Sequence, residues 1–129
     1  MPKITQLTLA LESKPGVLAK VARTLADAGV NVTAFSTSDS AGRGRIRMIV
    51  SDPARAKEAL TAAKFRVGEE PAVQLSLDNR PGALASVAEK LGQAKMNIKC
   101  AYATTSESGR ASVVLVVSNP DKALSLVGG

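Results

Sequence analysis

Few side chains in this sequence are equipped for chemistry, and their spacing limits what that chemistry can be. Histidine is absent and Cys100 is the one cysteine among 129 residues, so no Cys/His cluster can hold zinc and no internal disulfide can form. There is no imidazole to act as a base near neutral pH, and no nucleophile stands in a recognisable setting. The carboxylates Glu12, Asp39, Asp52 and Asp78 fall where strand ends and turns are expected, and there capping and solvation account for them. No catalysis, metal or cofactor is expected. Arg43, Arg45 and Arg47 alternate with Gly44 and Ile46, so on a strand the three cations would share one face. With a net charge of +6 such a face could neutralise phosphates. The other positive charges are scattered, however, and a solvated sheet face or a subunit contact is the reading adopted for the arginines. No nucleic-acid partner is expected.

A chain of this length can form one ordinary domain or two small ones. Its composition, 45% hydrophobic and 22% charged, is that of a soluble globular protein with a packed core. No apolar run approaches the ~18 residues needed to span a bilayer. The opening MPKITQLTLALESKPG turns polar too early for a signal peptide, so the expected location is cytoplasmic, without a membrane partner.

Laying residues 7–32 on residues 73–98 exposes an internal repeat with an offset of 66. Leu9/Leu75, Leu11/Leu77, Pro15/Pro81, Gly16/Gly82, Leu18/Leu84, Leu25/Leu91 and Asn31/Asn97 are identical pairs. Asp52-Pro53 faces Asn119-Pro120 at an offset of 67, which puts one inserted residue in the Gly/Ser-rich stretch between. Two units are therefore expected, 1–71 and 72–129.

Within each unit the hydrophobic period changes in the same order. Leu7, Leu9 and Leu11 alternate with polar or small residues, as do Val73, Leu75 and Leu77, and each set predicts a strand. Leu18, Val21, Ala22 and Leu25, like Leu84, Val87, Ala88 and Leu91, fall at i, i+3, i+4 and i+7 and predict an amphipathic helix. Pro15 and Pro81 are expected in its first turn, and Gly29 at the end of the first copy's helix. VTAFSTS and IKCAYAT read as second strands, DSAGRG and SESGR as hairpin turns, RIRMIV and ASVVLVV as third strands. Pro53 and Pro120 open second helices, and FRVGEE closes the first copy with a fourth strand. The expected fold is α+β: two ferredoxin-like βαββαβ units in tandem, each an antiparallel sheet with its helices on one face. The second unit stops within its last helix and lacks a fourth strand. In a 4-1-3-2 strand order this leaves residues 72–78 as an edge, which another segment of the chain or a second subunit should cover.

Fold alone does not fix function. An RNA-recognition domain of this topology stacks bases on central-strand aromatics, and RIRMIV and ASVVLVV contain none. A metal-transfer domain needs Cys-x-x-Cys, and no phosphate-cradling glycine loop is present. The segments that remain are Glu12-Ser13-Lys14-Pro15-Gly16-Val17-Leu18 with Gly29-Val30-Asn31-Val32, and Asp78-Asn79-Arg80-Pro81-Gly82-Ala83-Leu84 with Met96-Asn97-Ile98. Both resemble the ACT-domain signature, and together the two copies resemble a free-standing tandem ACT protein that senses amino acids.

The resemblance implies a non-enzymatic regulatory protein whose small amino-acid ligand sits at the junction of paired ACT units. One unit would supply the first strand-to-helix loop, with Ser13, Gly16 and Leu18 in copy one and Asn79, Gly82 and Leu84 in copy two. The other would supply Asn97 or Asn31 from the start of its second strand. Helix N-termini suit a carboxylate, and an amide can accept from an ammonium while donating to a carboxylate. Of the two junctions, the one bearing two amides, Asn79 with Asn31 beside Gly82, is favoured. Leu11 and Leu77 stand where some serine-binding relatives carry histidine, which argues against serine recognition by that route. A homodimer is expected. The alternative is a ligand-free interaction module that docks onto a metabolic enzyme. It draws on Val114 and Val116, which are apolar on the face opposite Val113, Leu115 and Val117 and predict that both faces of their strand are covered.

Overall fold

The computed structural model describes residues 3–105 and 108–128. The elements follow the expected order: β1 (Lys3–Glu12), α1 (Val17–Asp27), β2 (Val32–Ser40), β3 (Arg43–Val50), α2 (Pro53–Ala62), β4 (Val67–Asp78), α3 (Ala83–Gln93), β5 (Ile98–Thr105), β6 (Arg110–Val117) and α4 (Pro120–Ala123), the last continuing into a π-helical turn, Leu124–Gly128. The second hairpin turn, SESGR, includes residues 106 and 107, which lie outside the described residues.

The turn chemistry explains most boundaries. Ala41 and Gly42 both have positive φ, 54° and 82°, giving the two-residue hairpin loop whose twist matches paired strands, and the Asp39 carboxylate accepts from the Gly42 N–H at 3.1 Å. Asp52 and Asn119 cap α2 and α4 by accepting from the N–H of the third residue on, and Pro53 and Pro120 follow at the first helical position. At the end of α1 the Val30 N–H reaches Leu25 O and the Gly29 N–H reaches Ala26 O, a Schellman closure with Gly29 left-handed at φ 74°. The same closure after α3 puts Lys95 at φ 59° in that place.

The chain divides into two compact units, residues 5–70 and residues 71–129, the latter joined by the segment 1–4, of which Lys3 and Ile4 are described. In the N-terminal unit β3 lies between β2 and β1 and is antiparallel to both, and the first residues of β4 complete the sheet beside β1. Gln6 Nε2 donates to Glu70 Oε1 at 3.2 Å across that last pair. Leu7, Leu9, Ile46, Met48 and Val50 face Val21, Leu25, Ala56 and Leu60 of the helices and form the core. Each fully buried leucine there contributes roughly 1.5–3 kcal/mol.

The C-terminal unit repeats the plan, with β6 antiparallel to both β5 and β4. Its core gathers Val73, Leu75, Val87, Leu91, Met96, Val113, Leu115, Val117 and Ala123. Where the sequence leaves this unit without a fourth strand, the start of β1 takes that place beside β4, and Lys3 Nζ pairs with Asp121 of α4 at 3.1 Å. β4 thus gains a neighbouring strand from within the chain. FRVGEE and VQLSL are not two strands but one: β4 runs through Pro71, so β1 and β4 each serve both units.

Both faces of β6 are covered, as the alternation predicts. Val114 and Val116 are 1% and 2% exposed although neither belongs to the helix-side core. A single chain achieves this burial, so these valines call for no docked partner.

Candidate ligand-binding site

Pro15 and Pro81 do not lie in the first helical turn. The Val17 N–H donates to Lys14 O at 3.4 Å, and the Ala83 N–H to Arg80 O at 3.3 Å. Gly16 (φ 89°, ψ −11°) and Gly82 (φ 91°, ψ −18°) occupy the residue before each helix. Proline followed by a glycine of these angles is a type II β-turn, and it turns the chain from strand into helix. A Cβ built on either glycine meets nothing within 4 Å, so backbone sign rather than crowding requires glycine here. No side chain caps α1 or α3, so beyond the turn bonds of Val17 and Ala83 the first-turn N–H groups of both helices have no side-chain cap.

In the N-terminal unit this loop rims a concavity of about 230 Å³ lined by Glu12, Ser13, Lys14, Val17, Leu18, Thr37, Asp39, Gly44 and Arg45, among others. Gly44 makes the room. It occupies a helix-facing position of β3 that the alternation would give to an apolar side chain, and a Cβ there would reach Leu11 O at 3.4 Å and Ser13 Cα at 3.5 Å. Charges of both signs stand on the rim. Lys14 Nζ is 3.6 Å from Glu12 Oε2, with both side chains more than 60% exposed, so their pairing is weak and either can be recruited.

The sequence-derived residues divide accordingly. Ser13 and Leu18 meet in the concavity, and the Ser13 N–H is fixed to Gly42 O at 2.9 Å. Leu18, 44% exposed, also lines an apolar recess of about 150 Å³ with Val21, Ala22, Leu25, Val32 and Phe35. Asn31 lies beyond the far end of α1, an 11-residue helix of ~16 Å, where its N–H donates to Ser51 Oγ at 3.0 Å. In the C-terminal unit the Asn79 N–H donates to Gly109 O at 2.9 Å, Gly82 forms the turn, and Leu84 is 60% exposed. Asn97 follows α3 and accepts from the Ser118 N–H at 3.2 Å. In either unit one helix therefore separates the loop residues from the asparagine, and a single unit does not bring them to one ligand.

Thr37, Asp39 and Gly44 are members of the concavity that sequence reasoning missed. A glycine at a core-facing position of an otherwise alternating strand was the available signal. Register places Ala111 of β6 where Gly44 stands in β3, since Leu11 opposes Gly44 and Leu77 opposes Ala111.

Comparison with known proteins agrees with this architecture. A crystal structure of a protein from Bacteroides thetaiotaomicron superposes with a TM-score of 0.91 at 35% identity, covering 98% of this chain and 87% of that one. The ligand-free regulatory subunit of aspartate kinase from Thermus thermophilus superposes with a TM-score of 0.70 at 22% identity over 99% of this chain and 92% of that one, a likeness of fold. No curated protein matches the chain. The family described as the ACT domain pair matches residues 2–127. With two ferredoxin-like units, each opened by the same Pro-Gly turn, this chain belongs to the ACT domain pair family.

Proposed function

We propose that the protein is a non-catalytic regulator that binds a small amino acid at its Pro-Gly loops. The observation that carries the reading is the loop concavity of the N-terminal unit, where uncapped helix N–H groups and Lys14 suit an α-carboxylate while Glu12 and Asp39 suit an ammonium. The two loops are unequal. The first has the recess floored by Gly44; the second has the amide of Asn79 in place of the Ser13 hydroxyl. Because α1 and α3 hold Asn31 and Asn97 away from the loop of their own unit, these asparagines act from a facing ACT unit. Amides and main-chain groups read only what all α-amino acids share, so the size of the recess selects a small side chain.

A ligand that prefers the native state stabilises it. A thermal-melting screen of the twenty amino acids is therefore expected to find one or a few small ones that raise the melting temperature, by on the order of a few degrees once well above Kd. Gly44→Val, which fills the recess, is expected to reduce that shift while leaving the unliganded melt nearly in place. If no amino acid shifts the melt at millimolar concentration, ligand sensing gives way to a ligand-free module docking onto a metabolic enzyme. The fold likeness to a kinase regulatory subunit supports that second reading.

The reading includes a homodimer. β2 is an edge strand, and Phe35 on it is 53% exposed beside the apolar recess, the kind of surface that association covers. Sedimentation is expected to give a dimer for the native chain and a monomer for Phe35→Asp. A monomeric native chain at micromolar concentration would remove this part.

A further inference from the structure

The sheet of the N-terminal unit has a second face, away from its helices, and that face is cationic. Register sets its composition: Arg43, Arg45 and Arg47 of β3 stand opposite Ser40, Ser38 and Ser36 of β2 on one side, and opposite Glu12, Ala10 and Thr8 of β1 on the other. Arg66 joins them at the approach to β4, lining with Arg45, Thr8, Ala10 and Gly68 a concavity of about 320 Å³. A neighbouring one of about 510 Å³ is lined by Arg43, Arg45, Ser38, Ser40 and Glu12, among others. Arg45 borders both. Small residues between the arginines make the hollows, since Ala10 raises only a methyl group and Gly68 no side chain.

None of these four arginines forms an ion pair or a side-chain hydrogen bond among the described residues. Of the carboxylates on the face, Glu70 accepts from Gln6, and Glu12, opposite Arg43, is at the far end from Arg66 and only loosely paired with Lys14. The C-terminal unit shows that the fold does not need the cations. There Arg45 and Arg47 become Ser112 and Val114, and the one arginine retained, Arg110, is held by Asp78 and Ser76.

We infer that this face is a binding site for a phosphorylated small molecule, with a phosphoryl group between Arg45 and Arg66 and the rest of the ligand in the larger hollow, which borders the loop concavity and shares Glu12, Ser38, Gly44 and Arg45 with it. A phosphate ester offers up to two negative charges and three acceptor oxygens, enough for two guanidinium forks and a hydroxyl such as that of Thr8, whereas one carboxylate is saturated by one fork. Both hollows fall within or near the range of small-ligand sites. Nucleic acid fits less well because the face has no aromatic side chain on which bases could stack: Phe35 and Phe65 lie on the helix side.

The test titrates the native chain with inorganic phosphate and with glycerol 3-phosphate, at ionic strength held constant with KCl, following backbone amide shifts by NMR. Saturable shifts are expected at Thr8, Ala10, Arg45, Arg66 and Gly68, tighter for the ester. Arg45→Gln or Arg66→Gln is expected to weaken binding about tenfold or more, and Arg45→Lys several-fold, because a point charge replaces a fork. Arg23→Gln, which removes a positive charge from α1, should change it less than twofold. The proposal is overturned if Arg23→Gln weakens binding as much as Arg45→Gln, if malonate at equal ionic strength binds as tightly as the phosphates, or if only a single-stranded oligonucleotide gives saturable shifts. The native-chain shifts decide the matter even if a variant fails to fold.

Discussion

The two ACT units are built on one plan, and they differ where the plan leaves freedom. Helix starts, hairpin register and most helix-side core positions correspond, the end of the second helix apart. The differences gather at the loop and on β3 and β6: Gly44 against Ala111, Arg45 against Ser112, Arg47 against Val114, Ser13 against Asn79. The N-terminal unit has opened a recess and left its cations free, while the C-terminal unit has closed its third strand with valine on both faces and tied its one arginine into an ion-pair cluster. Most positions that hold the helix-side cores have stayed alike, and the loop and the outer face of the third strand have diverged, so the repeats read as one scaffold with two surface chemistries.

The most severe way to probe this contrast is through the second helices. Leu60 of α2 is fully buried in its core, whereas Val127, its counterpart at the offset of 67, only flanks the other core from a π-helical turn. Leu60→Ala is expected to cost about 3 kcal/mol and Val127→Ala about 1 kcal/mol or less, measured by urea unfolding. Equal costs would mean that the short α4 packs as firmly as α2. At the loops, an amide offers two donors and a separate acceptor oxygen and a hydroxyl only one donor on its single oxygen, so Asn79→Ala should weaken amino-acid binding about tenfold and Ser13→Ala only a few-fold by calorimetry. A larger loss at Ser13 would give the ligand to the Gly44 recess alone. The smallest effect is expected at the helix C-termini, where Gly29 and Lys95 share a left-handed conformation. Lys95→Gly should stabilise by about 0.5–1 kcal/mol, and Gly29→Lys should lose a similar amount. A destabilising Lys95→Gly would show that the flexibility glycine adds to the unfolded chain outweighs relief of strain.

Much of the fold was legible because it is locally encoded. Alternation at Leu7, Leu9 and Leu11, helical spacing at Val21 and Leu25, and proline after Asp52 and Asn119 each act within a few residues. Pro15-Gly16 was misread as a helix start because proline suits both a first helical turn and the second residue of a type II turn; the positive φ of Gly16 decides between them. Continuity of β4 was hidden by Pro71, which reads as a break but is tolerated where a strand passes from one pairing to the next. Nothing local could reveal that Lys3 and Ile4 complete a unit otherwise made of residues 71–129. The site was less legible than the fold. The loops announced themselves by repetition, whereas the recess depends on Gly44 lying across from Leu11, and that juxtaposition exists only once β1 and β3 have paired.

The sharing of β1 and β4 also bears on how the chain is made. During synthesis the segment containing Lys3 and Ile4 emerges before residues 5–70, and the β4 residues of the unit it joins follow only after them. The N-terminal unit, for its part, closes when the first residues of β4 arrive. Neither repeat is a transferable cassette: a cut at residue 70 would return both β1 and β4 to half-paired strands, and gene fusions or duplications that respect the fold must carry the two repeats together.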